Sequence, residues 1–79
     1  MRDFLELIVK NIVDLPDKVV VDESEDDYGK VVLSISVDKT DMGKIIGKEG
    51  RIIKAVRDLV KILAVKANRR VNVQLTETD

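Results

Sequence analysis

Apolar residues change their spacing along the chain, and each spacing marks an element. Phe4, Leu5, Ile8, Val9 and Ile12 recur at three- and four-residue intervals, the period of one helix face, with Arg2, Glu6 and Lys10 on the other side. This predicts a helix over 2–14. Pro16 steers Leu15 away from helical torsions and closes it. Val19-Val20-Val21 predicts a short strand over 18–23, and Asp22-Glu23-Ser24-Glu25-Asp26-Asp27 then reads as an acidic loop ended by Tyr28-Gly29. Val31, Leu33, Ile35 and Val37 alternate with Val32, Ser34 and Ser36, a period of two that predicts a strand over 30–37 with one wet face. Together the two strands make a hairpin.

Asp38-Lys39-Thr40-Asp41 is a helix start, with Asp38 or Thr40 as the cap. The helix is short, over 41–46, and Gly47 suits the left-handed position at its end. A longer helix is predicted from Arg51 to Ala67. Its buried stripe is Ile52, Ile53, Val56, Leu59, Val60, Leu63, Ala64 and Ala67, and Arg51, Lys54, Arg57 and Lys61 form a basic stripe. Asn68-Arg69 breaks the pattern. Val71, Val73 and Leu75 alternate with Asn72, Gln74 and Thr76 as a last strand, followed by a polar tail over Thr76 to Asp79. The order α-β-β-α-α-β gives three strands with one apolar face and three helices to cover it, a two-layer α+β domain. The 79 residues form one domain, 1–79, with no repeat and no room for a linker.

Composition narrows the function. The chain has no cysteine, which excludes disulfides and thiolate metal sites, and no histidine, the most versatile general base near neutral pH. Residues 1–14 carry Asp3, Glu6 and Asp14 and do not read as a secretory signal. No apolar run approaches the roughly 18 residues that span a membrane. A cytoplasmic protein with no membrane segment is expected. Net charge is only −1, yet Lys39 to Arg70 holds ten basic and three acidic residues, and the rest holds four basic and twelve acidic ones. The basic part contains Gly43-Lys44-Ile45-Ile46-Gly47-Lys48-Glu49-Gly50-Arg51-Ile52-Ile53. Gly47 and Gly50 let another backbone come close. Lys44, Lys48, Arg51 and Lys54 set positive charge around them, and the start of the following helix adds its dipole. An anionic backbone is the partner such a turn suits.

A nucleotide-hydrolysing P-loop is the enzymatic alternative, and it fails twice. Gly43 and Gly47 are one residue too close, and Glu49 stands where Ser or Thr should hold a magnesium ion. No catalytic residue, metal ligand, cofactor or small-molecule substrate is therefore assigned. A protein-interaction module is the other alternative, because Ile62 and Val65 lie off the main stripe of the long helix.

Ile45-Ile46-Gly47-Lys48-Glu49-Gly50-Arg51-Ile52-Ile53-Lys54 resembles the signature of KH domains, whose GXXG loop between two helices clamps about four nucleotides of a single strand. The element order is similar to the type II, bacterial version of that fold, and length and motif together are similar to the small stand-alone bacterial KH proteins of the KhpA type. The resemblance implies a type II KH fold with a three-stranded mixed sheet covered by helices on one face. It implies single-stranded RNA binding by Gly47, Lys48, Glu49 and Gly50. Lys44, Arg51, Lys54 and Arg57 would be phosphate partners or a solvated helix face. Ile46 and Ile53 would flank the groove or lie in the core beneath it, as would Ile35 and Val37. The resemblance further implies an RNA chaperone tied to cell shape and cell-wall biogenesis, acting as a homodimer or with a larger KhpB (Jag-like) RNA-binding protein. Two features weaken the grip of one copy. Glu49 is acidic within the loop, and Phe4 and Tyr28, the only aromatics, offer no platform for stacking bases. Binding then rests on phosphate contacts, and with about four phosphates neutralised log K falls with log salt at a slope of roughly −3.

Overall fold

A computed structural model describes residues 1–78. Helix α1 spans Arg2–Ile12, strand β1 Val20–Glu25 and strand β2 Val31–Asp38. The short helix α2 spans Met42–Ile46, the long helix α3 Arg51–Lys66 and strand β3 Val71–Thr78. Single 3-10 turns occupy Pro16–Lys18, Lys39–Asp41 and Lys48–Gly50.

The sheet order is β1-β2-β3. β1 runs antiparallel to β2, as a hairpin must, with Val21 opposite Ile35. β3 runs parallel to β2, with Leu33 opposite Val73. A parallel neighbour needs a crossover, and α2, the glycine loop and α3 supply it. The alternation of β2 appears directly as burial. Val31, Leu33, Ile35 and Val37 point into the core, and Val32, Ser34, Ser36 and Asp38 are half-buried on the other face. The core joins these residues to Leu5 and Val9 of α1, Ile45 of α2, and Ile53, Val56, Val60 and Ala64 of α3. The predicted two-layer α+β arrangement with a mixed sheet is the one observed.

Details depart from the sequence pattern for identifiable reasons. β1 starts two residues later than expected and takes in the acidic residues through Glu25. An edge strand tolerates charge because one of its sides faces water, and charge there discourages edge-to-edge association. The loop shrinks to a tight turn in which the Asp26 carboxylate accepts the Tyr28 and Lys30 amides, both at 2.9 Å. Residues 76–78 continue β3 instead of forming a tail, and Asp79 lies outside the described residues. Phe4 is 40% exposed, not buried. The buried line of α1 is centred on Leu5 and Val9. The stripe of α3 is also narrower than predicted. Ile52 and Leu59 are partly exposed and Ala67 is exposed, because a helix lying on one sheet buries only the face turned to it.

Candidate nucleic-acid interface

The loop takes its shape from three residues with positive φ. Gly47 ends α2 with φ 74° and ψ 177°, not in the left-handed helical region expected for it. That combination is open essentially to glycine alone. A Cβ at Gly47 would also lie 2.5 Å from Ile52 Cγ1. Glu49 (φ 58°, ψ 25°) and Gly50 (φ 73°, ψ 15°) take the left-handed conformation, so the chain reverses within three residues. Gly47 N donates to Gly43 O at 2.9 Å, and Gly50 N donates to Gly47 O at 3.2 Å. Gly50 is the N-cap of α3 and brings no side chain to its first turn.

Around this turn the predicted residues separate into groups. Lys48, Glu49, Arg51 and Lys54 are exposed. Arg51 Nη2 meets Glu49 Oε2 at 3.3 Å, so the acid partly offsets its neighbour's charge. Ile46 is partly exposed next to Gly47, and Ile53 is buried beneath the loop. Ile35 and Val37 are fully buried in the sheet. Arg57 turns toward the sheet, where its Nε donates to Val73 O at 3.2 Å. Arg2 makes the matching contact on the other edge strand, donating through Nε to Val21 O at 2.8 Å. Each edge strand thus has a carbonyl occupied by an arginine.

Lys44 is engaged within the protein. Its ammonium is paired with Asp14 and lies 3.9 Å from Asp41 Oδ1. The hydrogen bond to Asp14 holds its pKa above the ordinary lysine value, against some desolvation, with the charges of Asp14 and Asp41 adding to the rise. Asp41 is the buried centre of this group, 1% exposed. Its carboxylate accepts the amides of Asp14 (3.2 Å) and Leu15 (3.0 Å), which follow the early end of α1. This knot fixes the start of α2, and so the loop, to α1. The amino-acid pattern holds no signal for it beyond the capping character of Asp41, since Asp14 and Leu15 are more than 25 positions away.

The candidate site is therefore a rigid glycine turn with a basic rim. Solved structures with a similar fold exist at low identity, and they bear on the fold alone. An alanine variant of Era from Aquifex aeolicus, bound to GDP and aluminium fluoride, matches with TM-score 0.61 and 20% identity over 96% of this chain. Era in complex with MgGDPNP and nucleotides 1506–1542 of 16S ribosomal RNA matches with TM-score 0.56 and 19% identity. In both cases this chain corresponds to 29% of the longer one. The family model for the KhpA/KhpB KH domain matches residues 2–75. The chain belongs to the KhpA/KhpB KH-domain family. Relatives agree over nearly their whole length. "RNA-binding protein KhpA" of Clostridium acetobutylicum is 47% identical over 75 residues, 95% of this chain and 99% of that one. Its namesake in Chlamydia pneumoniae is 44% identical over 77 residues, 98% of this chain and 97% of that one. Gly47-Lys48-Glu49-Gly50 lies between α2 and α3. Among the described residues, no helix is long and apolar enough to cross a membrane.

Proposed function

We propose that this protein binds single-stranded RNA in the cytoplasm through the Gly47–Gly50 turn and acts as an RNA chaperone together with a second KH-type protein. The observation that carries this reading is the backbone of the turn. Gly47 and Gly50 at positive φ leave no side chain between the chain and an approaching sugar-phosphate backbone, while Lys48, Arg51 and Lys54 stand exposed around it. Ile46 offers an apolar surface for a base, and Ile53 supports the turn from the core. Lys44 contributes chiefly by anchoring α2, since its ammonium already has carboxylate partners. Arg57 keeps its Nε on the sheet, at Val73 O, and adds to the basic face of α3. The relatives' name, RNA-binding protein KhpA, supports the same ligand. Nothing in this machinery performs covalent chemistry.

The test is titration of single-stranded RNA against the wild type and a Lys48→Asp, Glu49→Asp double variant. Loss of binding with the fold intact, by circular dichroism, is the expected outcome. Equal binding by the two proteins would remove the loop from the mechanism.

A second reading, association with little RNA affinity of its own, draws on the outer face of α3. Ile52 and Leu59 lie seven positions apart with Ile62 three further on, an a-a-d spacing, and all three remain exposed, as does Val65 at 76%. Such a stripe suits a second helix, from another copy of this chain or from a larger KhpB-type protein. The two readings reinforce each other, because a tethered second KH unit raises the effective concentration of the weak clamp. Ile62→Asp is expected to lower the molecular mass seen by light scattering to that of a monomer.

A further inference from the structure

A second concentration of positive charge lies at the far end of α3 from the glycine turn. Lys61, Arg69 and Arg70 meet Lys30 around an open depression of about 360 Å³. Its floor is apolar, made by Ala64, Val65 and Val71. These residues come from the end of α3, the turn after it, and the lead-in to β2, so their meeting is a product of the fold. Two backbone features fix it. Asn68 takes positive φ (56°), with its amide on Val65 O at 3.0 Å and the Arg69 amide on Ala64 O at 2.8 Å. This is a Schellman closure, which sets where the chain leaves the helix. Val31 N then donates to Arg70 O at 2.8 Å, which brings Lys30 beside Arg70.

Cations near a helix C-terminus are favoured by its dipole, which accounts for Arg69, just past the end of α3. It does not account for Lys61, five residues before that end, or for Lys30 and Arg70, which immediately precede β2 and β3. One carboxylate shares the place. Glu25 Oε1 is 3.5 Å from Arg69 Nη2, a long contact between side chains 44% and 58% exposed, and so one that a phosphate can displace.

The geometry points to a second nucleotide site here, one that takes a phosphate on Lys30, Arg69 and Arg70 and lays a base or ribose on the apolar floor. It rests on the RNA reading of the glycine turn and extends it. α3 is 16 residues long, about 24 Å at 1.5 Å per residue. Lys54 and Lys61 fall on one stripe of that helix, seven positions apart, and lead from the turn to the depression. A strand held at the loop reaches the second site only if it runs beyond the roughly four nucleotides that a KH loop clamps. The site therefore discriminates by length.

The experiment uses the intact protein, uniformly labelled for amide NMR, with a four-nucleotide and a twelve-nucleotide single-stranded RNA. The twelve-mer is expected to shift amides of residues 30–31 and 69–71 as well as 44–54, and the four-mer only the latter. Arg69→Gln with Arg70→Gln should weaken the twelve-mer about tenfold, lower its salt slope by about 0.7, the share of one phosphate, and leave the four-mer unchanged. Glu25→Gln should tighten the twelve-mer. Twelve-mer shifts confined to 44–54, with equal affinity in the double variant, overturn the second site and keep the loop. Shifts confined to 30–31 and 69–71 keep the second site and remove the loop. Absence of shifts at both overturns both. Saturation by inorganic phosphate with no response to RNA makes this a site for a free anion and also overturns the proposal.

Discussion

Asp41 accepts the amide of Leu15 at 3.0 Å from a carboxylate that is 1% exposed. Its other oxygen takes the Asp14 amide at 3.2 Å. Asparagine is nearly the same shape but turns one acceptor into a donor, which would face an amide hydrogen. Asp41→Asn is expected to cost about 1–3 kcal/mol, the price of one buried group left unpaired. Urea denaturation measures it. A change within 0.3 kcal/mol would mean that the knot is not structural.

The two loop glycines should differ in tolerance. Gly50 has open space where a Cβ would sit and asks only for the left-handed conformation, so Gly50→Ala should lose about 1–2 kcal/mol and Gly50→Asn less. Gly47→Ala adds a 2.5 Å contact with Ile52 to a region closed to other residues, and should lose more than either. Thermal melts of the three variants give the ranking. Equal losses would show that the loop refolds around the substitution.

Glu49 is a non-glycine residue in the left-handed conformation, and it pairs with Arg51 at 3.3 Å. Glu49→Asn should gain about 0.5–1 kcal/mol, because asparagine visits that conformation more readily. It also frees Arg51. RNA affinity should rise together with stability, a pairing seldom seen at a binding site. A loss of affinity would assign Glu49 a direct role in recognition.

Lys44 has a raised pKa from Asp14. Its contribution to stability is fully present below the ordinary lysine value of 10.5 and fades as pH rises through the higher folded value. Wild type and Lys44→Met should therefore differ by a constant amount in melting temperature from pH 7 to about 10 and converge above the lysine range. A gap that closes below pH 9 would mean that another group controls it.

Asp38 behaves in the opposite sense. Its carboxylate accepts the Thr40 hydroxyl and amide, which lower its pKa from 3.8. This stabilisation is present above that value and is lost as pH falls through the depressed one. Asp38→Ala should melt below the wild type at pH 7 and with it at pH 2. A gap that persists at pH 2 would assign the effect to packing.

The fold was readable because its signals are local. The alternation of β2, the helix period in α1 and α3, and the glycine pair all lie within a few residues of one another. The boundaries were less readable where a distant group decides them. The helix period predicts α1 to residue 14, yet it ends at Ile12, because the amides of Asp14 and Leu15 turn to Asp41. Ile52 and Leu59 have the hydrophobicity of core residues, and only the width of the sheet beneath α3 leaves them partly exposed. Within the candidate site, the glycines and exposed cations were legible. The attachments of Lys44 to Asp14 and of Arg57 to Val73 were not, because each joins residues that only the folded chain brings together. How those residues divide the work in the proposed RNA site is what the loop variants measure.

The parallel seam between β2 and β3 imposes an order on synthesis. Ser36 and Thr76, 40 positions apart, face each other across it with their hydroxyl oxygens 2.9 Å apart. A ribosome makes α1, the hairpin and the glycine turn before Val71 exists. At that stage Leu33 and Ile35 have a strand on one side only, and α3 has no β3 to rest against. Non-local pairing of this kind forms late, since the connecting chain must close first. The nascent polypeptide thus carries the glycine turn and its lysines before the sheet is complete, and α3 gains its full support only once Val71–Thr78 has emerged and joined β2.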